Sequence, residues 1–170
     1  MSRLLIIAAV LALSSAANAQ EATECRTETP ALPAELAGWD THDAATAAAD
    51  AKALKSATLT PGKRVDAALK PTREIRYLAR PEKPGGSVSY GGMFSFNADT
   101  DGIYRVALGS AAWIDVLKGR TAVTSSDHGH GPACSGIRKM VDFPLKAGRY
   151  TLQIAANGES TVGVMVARLP

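Results

Sequence analysis

An all-β domain, an antiparallel β-sandwich of the jelly-roll or immunoglobulin-like kind, is the fold class this sequence predicts. Three observations predict it. Apolar and polar residues alternate at period two in segment after segment from Leu59 onward. Gly, Pro, Asn and Asp punctuate those segments roughly every ten residues. No heptad repeat, P-loop or G-x-G-x-x-G fingerprint interrupts the pattern. The segments amount to about seven or eight short strands in residues 59–170, preceded by a loop-rich N-terminal segment over residues 20–58.

The chain opens on "MSRLLIIAAVLALSSAANAQ". Arg3 supplies a positive start, Leu4 to Leu13 an apolar run, and Ala17-Asn18-Ala19 the small-x-small pattern of a cleavable signal peptide over residues 1–19. Ten apolar residues rise only about 15 Å as a helix, about half a bilayer core, so the run is not an anchor. The expectation is a periplasmic or secreted protein with no integral membrane segment after cleavage. Within residues 20–58, "AELAGW" offers Leu36 and Trp39 as a docking turn. "THDAATAAADAKALK" has the alanine content of a short surface helix but a poor apolar stripe.

Strands follow. "REIRYLA" (73–79) alternates Ile75, Tyr77 and Ala79 against charged neighbours, and "RPEKPGG" (80–86) is a loop. In "SVSYGGMFSFNA", Val88, Tyr90, Phe94 and Phe96 share a parity. Gly91-Gly92 marks a bulge or a close backbone approach. "IYRVAL" and "AAWIDVLK" are strands meeting at Gly109-Ser110, and "KGRTAV" steps through a hairpin. In "RKMVDFPL" the core face is Val141, Phe143 and Leu145, which turns Asp142 outward. The same alternation turns Asp115 outward in "WIDVL". Tyr150, Leu152 and Ile154 share one face of the next strand and Val162, Val164 and Val166 one face of the last. "ANGES" between them carries the Asn-Gly hairpin signal.

Cys25 and Cys134 are the two cysteines, and an even pair in an oxidising compartment predicts a disulfide. Closing a loop of about 100 residues removes on the order of 4–5 kcal/mol of unfolded-chain entropy. The formal net charge of +3 is small and its lysines and arginines are scattered, so neither a nucleic acid nor a membrane surface is an expected partner.

"DGIYRVALGSAAWIDVLKGRTAV" followed by "VDFPLKAGRYTLQIAANG" resembles the β-sandwich modules at the C-terminus of many secreted bacterial peptidases. Gly102-Ile103-Tyr104, Ile114-Asp115-Val116 and Ala147-Gly148-Arg149-Tyr150 carry the likeness, over residues 72–168. It implies an accessory, non-catalytic role, here without a catalytic domain. "RPEKPGGSVSYGG", "HGHGP" and "RKMVDF" are similar to short secreted bacterial proteins that bear the name homogentisate dioxygenase. That second resemblance implies an iron-dependent oxygenase, although the iron enzymes are longer cytosolic cupins that use two histidines and a glutamate.

The densest group of candidate ligands is "DHGHGPAC", Asp127 to Cys134. His128 and His130 stand two apart, which puts both rings on one side of an extended backbone. Asp127 is a third donor, and the set would suit a divalent transition metal such as Zn, Cu or Fe. His42 could join if the cross-link drew it close. The competing reading is a glycine-rich turn whose cysteine belongs to the disulfide. Tyr90, Gly91, Gly92 and Trp113 are candidate binding-loop residues, the aromatic ones as a platform for a sugar or peptide. Asp115 and Asp142 would hold a cation if their strands were neighbours. No G-x-S-x-G elbow surrounds Ser125, Ser126 or Ser135, and no catalytic residue is assigned. Three function classes remain: a binding or accessory protein for a small ligand, glycan or protein; a small metal-dependent oxygenase; and a structural envelope protein.

Overall fold

The computed structural model describes Cys25 and residues 31–170; the leader expected over residues 1–19 lies outside the described residues. Eleven strands run in chain order: β1 (Asp43–Thr46), β2 (Arg64–Ala68), β3 (Lys70–Pro71), β4 (Tyr90–Ala98), β5 (Gly102–Leu108), β6 (Trp113–Lys118), β7 (Thr121–Ala122), β8 (Asp127–Gly129), β9 (Lys139–Leu145), β10 (Gly148–Asn157) and β11 (Thr161–Arg168). They form a six-stranded sheet ordered β1-β2-β11-β5-β9-β8 and a five-stranded sheet ordered β3-β4-β10-β6-β7. The all-β sandwich is therefore as expected. Seven of the strands reach five residues or more, and the rest are short edge strands.

The inner core follows the alternation. Val141, Phe143 and Leu145, then Tyr150, Leu152 and Ile154, then Val162, Val164 and Val166 are all buried between the sheets with Phe94, Phe96 and Val106. Each side chain of this size contributes about 1.5–3 kcal/mol when removed from water. A second, smaller cluster lies on the outer face of the six-stranded sheet. There the 3-10 helix Ala34–Asp40 docks Leu36 and Trp39 against Ala107, Ile137, Met165 and Ala167. Trp39 Nε1 donates to the Ser135 carbonyl at 2.9 Å. One residue away, Cys134 is bonded to Cys25 with their Cα atoms 5.3 Å apart, so the cystine and the indole fix the same flap.

Four expectations need correction. "ANGES" is not a hairpin: β10 pairs with β4 and β6, whereas β11 pairs with β2 and β5 in the opposite sheet. Asn157 is buried and its amide donates to the Glu159 and Thr161 carbonyls, which shapes a sheet-to-sheet crossing. The segment 73–79 is not a ladder strand. It opens as a 3-10 turn, Thr72–Glu74, and then lies over the outer face of the five-stranded sheet. Arg76 N donates to the Ala49 carbonyl at 2.8 Å, and the end of the segment is held by a side chain: Gln153 Oε1 accepts from Leu78 N at 2.9 Å and Ala79 N at 3.3 Å, and Gln153 Nε2 donates to the Ala79 carbonyl at 3.0 Å. Val88 stays 86% exposed outside β4. The alanine-rich stretch is no α-helix: it supplies β1, parallel to β2, the buried Ala47 and Ala48, and one 3-10 turn at Ala53–Lys55.

Candidate functional site

The expected ligand cluster is dispersed by strand parity. β8 is the edge of the six-stranded sheet, and its register sets Asp127 opposite Asp142 and His128 opposite Val141. Residues opposite one another share a face, so His128 turns with Val141 toward the interior and Asp127 turns outward. There Asp127 borders Arg105 in a cavity of only about 60 Å³. Its carboxylate accepts from the backbone N–H of His128 at 2.8 Å. His130 lies beyond the strand and its Nδ1 donates to the Arg138 carbonyl at 2.8 Å. Cys134 is taken by the cystine. His42 bonds instead to Asp66 on β2, at 2.9 Å. Four ladder steps separate that strand from β8, roughly 19 Å. Among the described residues, no three His, Cys, Asp or Glu side chains come together as metal ligands. The two-histidine, one-carboxylate set that iron would need does not fit the placement of these side chains.

Asp115 and Asp142 lie in different sheets, so the cation site that required neighbouring strands is not formed. Asp142 does face outward, yet it is buried. Arg105 clamps it with Nε donating to Oδ1 at 2.8 Å and Nη2 to Oδ2 at 2.7 Å, and Glu35 of the 3-10 helix approaches the same guanidinium at 3.6 Å. The Asp142 bond, with the charges of Asp142 and Glu35, pushes the Arg105 pKa above its ordinary value.

Tyr90, Gly91 and Gly92 begin β4, in the packed body of the sheet. A Cβ at Gly91 would run into the Tyr77 hydroxyl and the Ile154 carbonyl, and one at Gly92 into Ala47. The glycine pair thus answers a close approach of neighbouring chain. Tyr77 donates to the Ile154 carbonyl at 2.9 Å, and burial, with the Asp115 charge as a lesser cause, pushes its phenol up to about 12.

Of the sequence candidates, Trp113 and His128 do meet. A cleft of about 400 Å³ opens at the flank of the sandwich, where β7 is too short to extend the five-stranded sheet beyond β6 and β8 leaves the other sheet's rim thin. Its walls are Trp113 and Asp115 on β6, Glu82 from the "RPEKPGG" loop, Thr124 and Ser125, and His128 on β8; Ile114, Val123, Val141 and Phe143 form an apolar floor. Lys139 spans the two sheets, its Nζ donating to the Ala112 carbonyl at 2.9 Å. The Trp113 ring carries two ammonium groups, Lys83 at 5.2 Å and Lys139 at 5.5 Å from its centroid. Trp113 Nε1 donates to Asp115 Oδ1 at 3.0 Å.

Desolvation dominates the electrostatics here. It raises the Asp115 carboxyl, with Glu82 adding to the rise and the Trp113 bond and Lys139 opposing it. It lowers Lys139, helped by the nearby Lys83 charge and opposed by Asp115. A carboxyl and an amine both displaced toward their neutral forms and facing one cleft mark a site with a physical rationale. Lys139 was not legible as a member of it, nor was the approach of Glu82 and Lys83, neighbours in the 80–86 loop, to a strand about thirty residues later.

A wider cavity of about 830 Å³ lies beside Arg64, Asp66, Ser110, Ser135 and Asn157. Most of its polar groups are taken up internally: Arg64 pairs with Asp66 at 2.6 Å, Ser110 donates to Asn157 at 2.6 Å, and Ser135 to the Pro132 carbonyl at 2.7 Å, while the buried Arg64 Nε has no hydrogen-bond partner. Those internal bonds make it the weaker candidate despite its size.

No protein-family model matches this chain. No curated protein matches it either.

Proposed function

We propose that this protein is an exported, non-catalytic β-sandwich that holds a small ligand in the Trp113 cleft. The leader-like residues 1–19 and the cystine support export. The observation that carries the binding reading is the convergence, at one edge of a rigid sandwich, of an apolar floor, a partly exposed indole and a few charged groups. Ligand pockets have that composition. The cleft's volume falls within the range of small-molecule sites. Catalysis by a nucleophile has less support: among the described residues no histidine hydrogen-bonds a serine, threonine or cysteine side chain.

Amide and indole shift mapping of the purified protein against a library of small fragments tests the reading. Hits should cluster on Trp113, Asp115, Val123, His128 and Val141, and should disappear in Trp113→Ala. A screen whose hits map elsewhere, or survive Trp113→Ala unchanged, would overturn it.

A further inference from the structure

Two lysines share the one indole at the wall of the cleft, Lys139 from its lining and Lys83 from the loop beside Glu82. Lys83 and Lys139 both lie over the one Trp113 ring, within 5.2 and 5.5 Å of its centroid, so their ammonium groups are at most about 11 Å apart. Among the described residues neither forms an ion pair, and the hydrogen bond from Lys139 goes to an uncharged carbonyl. Two like charges brought together beside an apolar floor cost free energy unless something neutralises them. The indole ring offsets part of that cost, since a cation over tryptophan is attracted by the ring quadrupole. The Asp115 charge offsets a further part for Lys139, but no carboxylate of the cleft comes within ion-pair distance of either lysine.

We infer that the cleft takes an organic anion with an apolar body, its charged head between Lys83 and Lys139 and its body on Val123, Val141 and Phe143. This rests on the binding reading above and names its ligand class. A carboxylate or sulfonate head would bring the two ammonium groups a shared counter-charge. The aliphatic and aromatic floor would desolvate the rest of the molecule. A large polar sugar is disfavoured by the floor, and a cationic probe tests whether Glu82 and Asp115 outweigh the two lysines.

Three eight-carbon probes separate the possibilities: octanoate, octanol and octyltrimethylammonium, followed through the indole N–H resonance of Trp113. Trp113→Phe identifies that signal against the one from Trp39. Octanoate should bind tightest, and Lys83→Ala, a change in a surface loop, should weaken it at least fivefold while leaving octanol unchanged. The octanoate affinity should also fall as salt is added. Octanol binding as tightly as octanoate, or tighter binding of the ammonium probe, would overturn the anion inference and leave the cleft standing as a binding site. If none of the three moves the Trp113 signal, the anion inference fails, and the fragment library decides separately whether the cleft binds at all.

Discussion

Replacing Asp142 with alanine probes how the outer face of the six-stranded sheet is held. In the native protein Asp142 and Arg105 make a two-pronged ion pair at 2.8 and 2.7 Å, with side-chain exposures of only 8% and 18%. Removing one member of a buried pair leaves the other charged and short of partners, which costs about 3–5 kcal/mol. Glu35 remains 3.6 Å from the guanidinium and offsets part of the loss, so the lower end, about 3 kcal/mol, is expected. At about 2–4 °C per kcal/mol for a domain of this size, the melting temperature should fall by roughly 6–12 °C. Calorimetry and urea unfolding both measure this. Adding salt should leave the difference nearly unchanged, because a buried pair is poorly screened. The double variant Arg105→Met/Asp142→Leu should recover most of the stability, since apolar replacement of a whole buried pair is close to neutral. A loss under 1 kcal/mol in Asp142→Ala, or a double variant as unstable as the single one, would refute the reasoning. Val141 and Phe143 flank Asp142 and line the cleft, so a drop in ligand affinity in the single variant would tie this clamp to the site.

Other expectations follow from particular positions. Ala156 sits at φ +56°, where a Cβ costs roughly 1–2 kcal/mol; Ala156→Gly should therefore stabilise by about 0.5 kcal/mol after glycine's own entropy cost, and a destabilised variant in urea would contradict that. The Asp115 carboxyl titrates above its unfolded value, so its favourable contribution is complete below about pH 4 and is lost as pH rises through the folded value. Asp115→Asn keeps an acceptor for Trp113 Nε1 and should gain stability relative to the parent between acidic and neutral pH; a parent that gains instead refutes the assignment. The cystine closes a separation of 109 residues, and Cys25→Ser/Cys134→Ser should lose about 4–5 kcal/mol in thermal or urea unfolding. A loss below about 1 kcal/mol would mean that the N-terminal segment is held by the Leu36 and Trp39 contacts alone.

Much of the interior was legible because alternation reports faces directly. The triplets at 141–145, 150–154 and 162–166 needed only the two-residue period, and the turn chemistry at Gly119 fixed the β6–β7 hairpin, where φ is +64°. Which sheet a strand joins was not legible. Asn157-Gly158 is a strong hairpin signal, but the irregular register between Ile154 and Asn157 and the buried Asn157 amide turn the chain across the sandwich. In 73–79 the alternation was real, but the Leu78 and Ala79 backbone is satisfied by the Gln153 side chain, about 75 residues away, which no local pattern reveals. Asp142 was given the right face and the wrong environment, because the covering residue, Glu35, belongs to a distant helix. The cleft suffered the same limit: Trp113 and His128 attracted notice as residue types, whereas Lys83 and Lys139 acquire meaning only when the sheets stack.

The pairing order also bears on how the polypeptide comes into existence. β2 pairs on one side with β1 and depends for its antiparallel neighbour on β11, a strand far later in the sequence: Arg64–Ala68 aligns with Thr161–Met165. A growing or translocating polypeptide therefore holds β2 and β5 each with one open edge until β11 emerges. Folding dominated by such distant partners runs on a timescale of milliseconds to seconds, and open edges awaiting them invite association between copies. A stop codon just before Thr161 would leave β2 and β5 both facing solvent.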